Sequence, residues 1–598
     1  MKGTVIPVIL VLTLLLTSCS QPAVSPAPTA ELTATGLTPE ENIEKYGIPA
    51  IIVPFDYPVP DGMIKNPEDR EAMIEAKIAH LREVNRLFWG DAPGTPEERQ
   101  AIFHELWTTA DNYFVAFKGL ETDWDSFYEE YHEKIGQVQS YGEYLSIITR
   151  MSYLLREAHT YMMPGRLSTA FLEKGLGDDI INGPVPGFIP AAFNSSIGAC
   201  ITVTSEEALV VSRIWERSPN PYRLKVGDEI VGFNGVPWEE WIPRLETAEI
   251  AIWGSSAGAE TASRYILLRS AVQNAHLFEK INIMRADSGE IETMPIVFIK
   301  TEGDGEDVTC PEWTETDGLV SAEDTERTLS WKDDPMFVYG VIEVENIGYM
   351  YLKHLDPQDP AQFANQFEEA ILALMDTEGL IIDLRGNGGG EFPSPLFPGL
   401  AHLVQGTEDR QFYAMAVNDP GGHDRTRLVD IVDGWGEACE DSGSDGRLDM
   451  GGLCKKAMEA ARKIRTHPFR ADDPDLHYLC PIVVLVGPGC GSACDHLVHL
   501  LSQFPEFTII GRDPNGSLTF PLNWDRLYTY PRIKENVMLK IPAVGPYAAG
   551  EETIEHLCRR TGLVDVEVWF TKEDVINGVD TVREYAIQVI REARSEGE

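Results

Sequence analysis

The sequence predicts a multidomain α/β protein with a helical domain first, a β-rich domain second and an α/β core last. Length is one reason: 598 residues are too many for a single hydrophobic core when domains run to roughly 100–200 residues. A change of period along the chain is another. Apolar residues recur at helical spacing up to about Leu155, short strand patterns follow from about Pro186 to Lys300, and strands alternate with helices from Phe337 onward, the order that builds βαβ units. The third is a pair of apolar strands, Gly379–Leu384 and Ile482–Val486, each running into a glycine-rich turn. That arrangement sets backbone N–H groups and a nucleophile at a sheet edge.

The elements follow in chain order. Residues 1–18 carry one charge, Lys2, then the apolar run Val5–Leu16 and the ending Leu16-Thr17-Ser18-Cys19. A positive start, an apolar stretch too short to span a bilayer and small residues before a cut site predict a secretory signal. Residues 19–40, rich in Pro, Ala, Thr and Ser, bury too little apolar surface to fold and read as a tether. A helical domain is expected over 41–185. Thr95-Pro96-Glu97-Glu98 is a capping box with proline at the first helical position, and Ile102, Phe103, Leu106, Trp107 and Ala110 continue it. A second apolar stripe from Tyr144 to Leu155 leads to Ala158-His159-Thr160.

A β-rich domain is expected over 186–300, where Leu224–Gly235 reads as a buried strand ending in an Asn-Gly turn. Residues 301–335 are acidic and weakly patterned, a linker. The core then occupies 336–598, interrupted by a polar insertion at about 406–476. Within the insertion, Asp441–Asp449 holds part of a calcium-loop pattern without the terminal glutamate, so a solvated loop closed by Cys439 and Cys454 is the plainer expectation.

Composition removes one class of partner. The net charge of −46 becomes −47 once residues 1–18 and their single lysine are removed, and a chain this acidic is not a nucleic-acid binder. With Cys19 set aside, eight cysteines remain, at 200, 310, 439, 454, 480, 490, 494 and 558. An even number in an exported protein permits disulfides, with the pairing open. None has the Cys-x-x-Cys spacing of a zinc site.

The segments Leu380-Ile381-Ile382-Asp383-Leu384-Arg385-Gly386-Asn387-Gly388-Gly389-Gly390 and Val484-Leu485-Val486-Gly487-Pro488-Gly489-Cys490-Gly491-Ser492-Ala493-Cys494-Asp495 together resemble the catalytic core of the tail-specific (C-terminal-processing) and tricorn-core serine peptidases. The helical segment with its Asp123-Trp124-Asp125 turn looks like their N-terminal domain, and 186–300 is similar to a PDZ domain, a fold that adds extended C-terminal peptides as a strand. The resemblance implies a crotonase-like core. The Leu-x-x-Cys ending of the signal resembles that of a bacterial lipoprotein, which implies lipidation at Cys19 and an extracytoplasmic, membrane-anchored protein.

In that reading Ser492 is the nucleophile. Its place between an apolar strand and a helical run fits an N-cap serine equally well on local sequence, but the second glycine turn favours catalysis, because a tetrahedral intermediate needs two N–H donors. Ala493 supplies one, and by resemblance Gly389 supplies the other, with Gly388 the near alternative. The turn lacks the Lys-Ser/Thr ending of a phosphate loop.

A serine needs a base. The loop where the Ser-Lys branch carries its lysine reads Thr508–Ser517 with none, and the nearest downstream is Lys534. The tricorn-like branch takes a histidine from a Ser-His step, matched by His159, although the family serine is Ala158 here. His496, four residues after Ser492, is the alternative on the same helix face. Glu555 is the best match to the family's glutamate, with Val564 where the family has proline. Cys490 and Cys494 stand where the family usually has serines, and read as disulfide-bonded or packed thiols.

The expected function is an exported serine peptidase that cleaves unfolded or C-terminal polypeptide through an acyl-enzyme, with no metal or organic cofactor. Its partners are a polypeptide substrate and, through the lipid, a membrane. The rivals are a non-catalytic peptide- or ligand-binding lipoprotein on the same fold, and an esterase using the same serine.

Overall fold

Thr95 starts the helix Pro96–Tyr113 as a reciprocal cap: its side chain accepts the Glu98 N–H, and the Glu98 carboxylate accepts the Thr95 N–H at 2.8 Å. The structure, a computed structural model, describes residues 55–89, 91–164, 197–214, 220–250, 252, 257–296, 329–331, 334–342, 344–390, 394–404, 414–418, 421–423, 425–429, 476–519, 523–542, 544–547 and 562–597. The signal segment, Cys19, the tether, Cys439, Cys454, Asp441–Asp449 and Glu555 lie outside the described residues.

Four long helices, Pro67–Trp89, Pro96–Tyr113, Trp124–Gln137 and Tyr141–Leu154, make the first part. Asp123 caps the third by accepting the Ser126 N–H at 2.9 Å, and Ser140 caps the fourth with Glu143 completing a second reciprocal cap. Phe103, Leu106, Trp124, Tyr144 and Ile148 fill the space between them, and Leu539 and Ile541 of the strand Glu535–Pro542 join the same core. Each such side chain, fully buried, contributes about 1.5–3 kcal/mol. The strand Tyr161–Pro164 continues from the fourth helix and pairs antiparallel with Glu535–Pro542, Tyr161 opposite Lys540. The helical part is thereby stitched to a segment almost four hundred residues further along the chain.

The β-rich part is an antiparallel sheet in the order Ala199–Val203, Leu209–Ile214, Glu229–Phe233, Lys280–Met284, Ile291–Pro295, with Val236–Pro237 folded back on Glu229–Phe233. Asn234 and Gly235 turn that corner at φ 50° and 81°, the pair of left-handed residues a tight hairpin needs. The Asn234 carboxamide oxygen then accepts the Glu279 and Lys280 N–H groups. Helices Trp238–Thr247 and Glu260–Arg269 belong to the same part of the chain.

The last part holds a seven-stranded sheet in the order Val566–Glu567, Phe507–Gly511, Ile482–Val486, Leu380–Asp383, Ile347–Leu352, Asp334–Ile342, Leu329–Trp331. Its first five strands are parallel. Leu380–Asp383 is apolar without alternation because both faces are covered: Ile382 belongs to one hydrophobic core and Ile381 to the other. Asp383 is in register with Leu485, so the two glycine turns leave the sheet side by side at its carboxyl edge, where open α/β sheets place their sites.

Candidate active site

The two turns touch. Gly389 has φ 99°, and a Cβ there would fall 2.5 Å from the Gly491 carbonyl oxygen and 2.7 Å from Ser492 Cβ, so only glycine fits. Asn387 joins the turns: its carbonyl accepts the Gly491 N–H at 3.1 Å and its Oδ1 accepts the Gly389 N–H at 2.9 Å. The Gly389 N–H expected to face an oxyanion is therefore held by Asn387, whereas a Cβ on Gly388 would meet nothing.

Ser492 precedes the helix Ala493–Leu501 at φ 55° and ψ −119°, and its side chain makes no capping bond. The N-cap role is thus unfilled, and the backbone lies in a region L-residues seldom occupy, as in the strained strand-to-helix elbows of hydrolases. Its Oγ lies 3.0 Å from His159 Nε2. Ala493 opens the helix, so its N–H has no intrahelical acceptor.

His159 sits between the end of the helix Tyr141–Leu154 and the strand Tyr161–Pro164, fixed on both sides. Its Nδ1 lies 3.0 Å from Glu157 Oε1 and 3.0 Å from Thr519 Oγ1, and its backbone N–H reaches Glu157 Oε2 at 2.7 Å. Thr519 donates its hydroxyl proton to Glu157 Oε1 at 2.6 Å. A carboxylate and a hydroxyl whose proton is already committed can only accept, so in the neutral imidazole Nδ1 carries the proton and Nε2 faces Ser492 as an acceptor. Burial alone would favour a protonated Glu157, but the charge of His159 and the hydrogen bonds from His159 and Thr519 hold its carboxyl below the usual range. Burial likewise opposes a charged His159, and the Glu157 carboxylate overcomes it, so the imidazole pKa is raised.

Residues 346–525 match the family model described as peptidase family S41, and residues 95–152 match the tricorn protease C1 domain. The first match contains both glycine turns and Ser492. The chain carries a family S41 serine peptidase domain. Among solved structures, mature CPAF is similar over 83% of this chain and 96% of its own, at 14% identity and a TM-score of 0.51, a likeness of fold. The photosystem II D1 C-terminal processing protease (16% identity, 79% and 93% covered, TM-score 0.34) and the tricorn protease (15% identity, 83% and 37% covered, TM-score 0.33) also align. Comparison with curated proteins gives no match.

The remaining sequence candidates of the peptidase fall into place around this site. His496 bonds the Ser492 carbonyl through its backbone N–H, and burial depresses its imidazole to about 3, too weak a base for a serine proton. Lys534 lies in the turn before the strand Glu535–Pro542, six positions from Lys540 at the His159 end, about 20 Å away at strand rise. Glu157 and Thr519 escaped the sequence reading. Glu157 stood in the same tripeptide as His159, two residues before it, which was signal enough. Thr519 is brought in across 360 residues by its loop, which is pinned where Asp495 accepts the Gly516 and Ser517 N–H groups at 2.9 and 2.7 Å, and nothing local marks it. Cys490 and Cys494 form a disulfide across Ser492.

Proposed function

We propose that Ser492 is the nucleophile of this peptidase and His159 its general base. The observation that carries the reading is the 3.0 Å contact between His159 Nε2 and the Oγ of a serine in strained, uncapped geometry. In this reading His159 takes the Ser492 proton as Oγ attacks the scissile carbonyl, and Glu157 with Thr519 holds the imidazole in the reactive tautomer and stabilises it when charged. The Ala493 N–H and, with Gly389 engaged by Asn387, the Gly388 N–H receive the oxyanion. The tetrahedral intermediate collapses to an acyl-enzyme as His159 returns the proton to the leaving amine, and water completes the cycle by the same route. A histidine base supports the Ser-His branch, with Glu157 in the orienting position for which Glu555 was the sequence candidate.

The same proposal extends to the finer architecture and setting. The antiparallel sheet with its two helices acts as a PDZ-like unit presenting extended polypeptide tails, and the parallel sheet as a crotonase-like core. The signal-like start with Leu16-Thr17-Ser18-Cys19 supports export and acylation at Cys19. Ser492→Ala is expected to abolish hydrolysis of an unfolded polypeptide while thermal unfolding stays close to wild type. Turnover persisting in Ser492→Ala would sink the serine mechanism and favour the binding-protein reading.

A further inference from the structure

A residue held at φ 55° and ψ −119°, as Ser492 is, is strained and persists only when its surroundings over-determine it. One covalent bond lies across that residue. Cys490 and Cys494, two residues to either side, are joined with their Cα atoms 5.5 Å apart, and both are fully buried. The bridge also touches the other parts of the site. Cys494 Sγ lies 3.8 Å from the Leu384 carbonyl oxygen, at the start of the first glycine turn. The Cys490 carbonyl accepts the Asn515 N–H at 2.8 Å, which ties the bridge to the loop that carries Thr519.

We propose that the Cys490–Cys494 disulfide positions Ser492 against His159 and that full activity requires this bond to be oxidised. The proposal rests on Ser492 being the nucleophile. The cysteines are positioning residues and touch no reacting atom. A dithiol reductant opens the bond by thiolate attack on one sulfur, giving a mixed disulfide and releasing the other as a thiolate. The reductant's second thiol then displaces the first cysteine, so two electrons and two protons end on Cys490 and Cys494 and the dithiol leaves as a cyclic disulfide. Without the bridge the segment Cys490–Cys494 loses its shortest constraint, and Ser492 relaxes toward an ordinary φ. A displacement near 1 Å costs about 100-fold in rate.

The test compares wild type with a Cys490→Ser/Cys494→Ser double variant, each before and after treatment with dithiothreitol, using peptide hydrolysis, fluorophosphonate labelling and far-UV circular dichroism. The expected result is a fall in kcat of about 10- to 100-fold, KM within about twofold, in both reduced wild type and the double variant. Reoxidation should restore the wild type only, and dithiothreitol should leave the double variant unchanged. A Cys490→Ala/Cys494→Ala variant gives the same comparison should the serine pair fail to fold. Wild-type kcat unaffected after mass spectrometry shows both thiols free would overturn the proposal, as would an equal loss on reducing the double variant, since that points to another disulfide. Oxidised wild type that never labels at Ser492 refutes the nucleophile assignment itself, a failure separable from that of the bridge.

Discussion

Two buried polar clusters stand close together at the carboxyl edge of the same sheet. In one, Arg385 lies between Asp383 and Asp580: it donates to Asp383 Oδ2 at 2.6 Å and to both Asp580 oxygens at 2.7 Å, and Tyr349 adds its hydroxyl to Asp383 at 2.6 Å. Arg385 is completely buried, and despite the opposing cost of burial its two carboxylates raise its pKa. In the other, Glu157 is equally buried, but His159 keeps 21% of its side-chain surface and Ser492 holds a strained backbone. The first cluster is closed on itself, one guanidinium shared between two carboxylates, and it anchors the helix Thr581–Gly597 to the strand Leu380–Asp383. The second ends in a hydroxyl whose proton has somewhere to go. Burial and ion pairing alone do not mark a reactive site; an unfinished chain of donors and acceptors does.

Substitution in the open cluster should cost rate with little stability. His159→Ala is expected to lower kcat on the order of a thousandfold or more, while Lys534→Ala leaves it near wild type. The reverse pattern, measured by steady-state kinetics, would move the base to lysine and erase the contrast drawn here.

Substitution in the closed cluster should do the opposite. Arg385→Ala leaves two buried carboxylates uncompensated, which is expected to cost about 3–5 kcal/mol of unfolding free energy. Chemical denaturation checks this. A loss under about 1 kcal/mol would mean that the cluster is not the anchor it looks to be.

The shift of the pH profile is the smallest effect and the most diagnostic. His159 must be neutral to accept the serine proton, and its pKa is raised, so kcat/KM should rise with pH through an inflection above about 6.5 and then level off. Glu157→Gln removes the charge responsible while burial remains. The inflection should then move down, and kcat should fall on the order of 10³- to 10⁴-fold by analogy with removal of a triad carboxylate's charge. An inflection that does not move would detach Glu157 from the imidazole.

The sequence made much of this legible, for local reasons. Capping residues at Thr95 and the turn at Asn234-Gly235 act over three or four positions, and the two glycine turns, the second with Ser492, each lie in one short segment. What stayed hidden depended on distance or on choice among equals. Thr519 reaches His159 only through a loop held by Asp495, the Gly389 N–H is claimed by an Asn387 side chain whose orientation no pattern encodes, and eight cysteines admit many pairings before Cys490–Cys494 is seen. Glu555, taken from family order, lies outside the described residues, whereas Glu157 meets His159 through the geometry of a helix end.

The central claim is that one serine, strained and uncapped, faces a neutral imidazole nitrogen. Treating wild type and Ser492→Ala with a fluorophosphonate probe at neutral pH and mapping the adduct by peptide mass spectrometry tests it most directly. The account predicts a single adduct on Ser492 in wild type, formed in step with loss of hydrolysis, and none in Ser492→Ala. Labelling at another residue, or equal labelling of the variant, would contradict it.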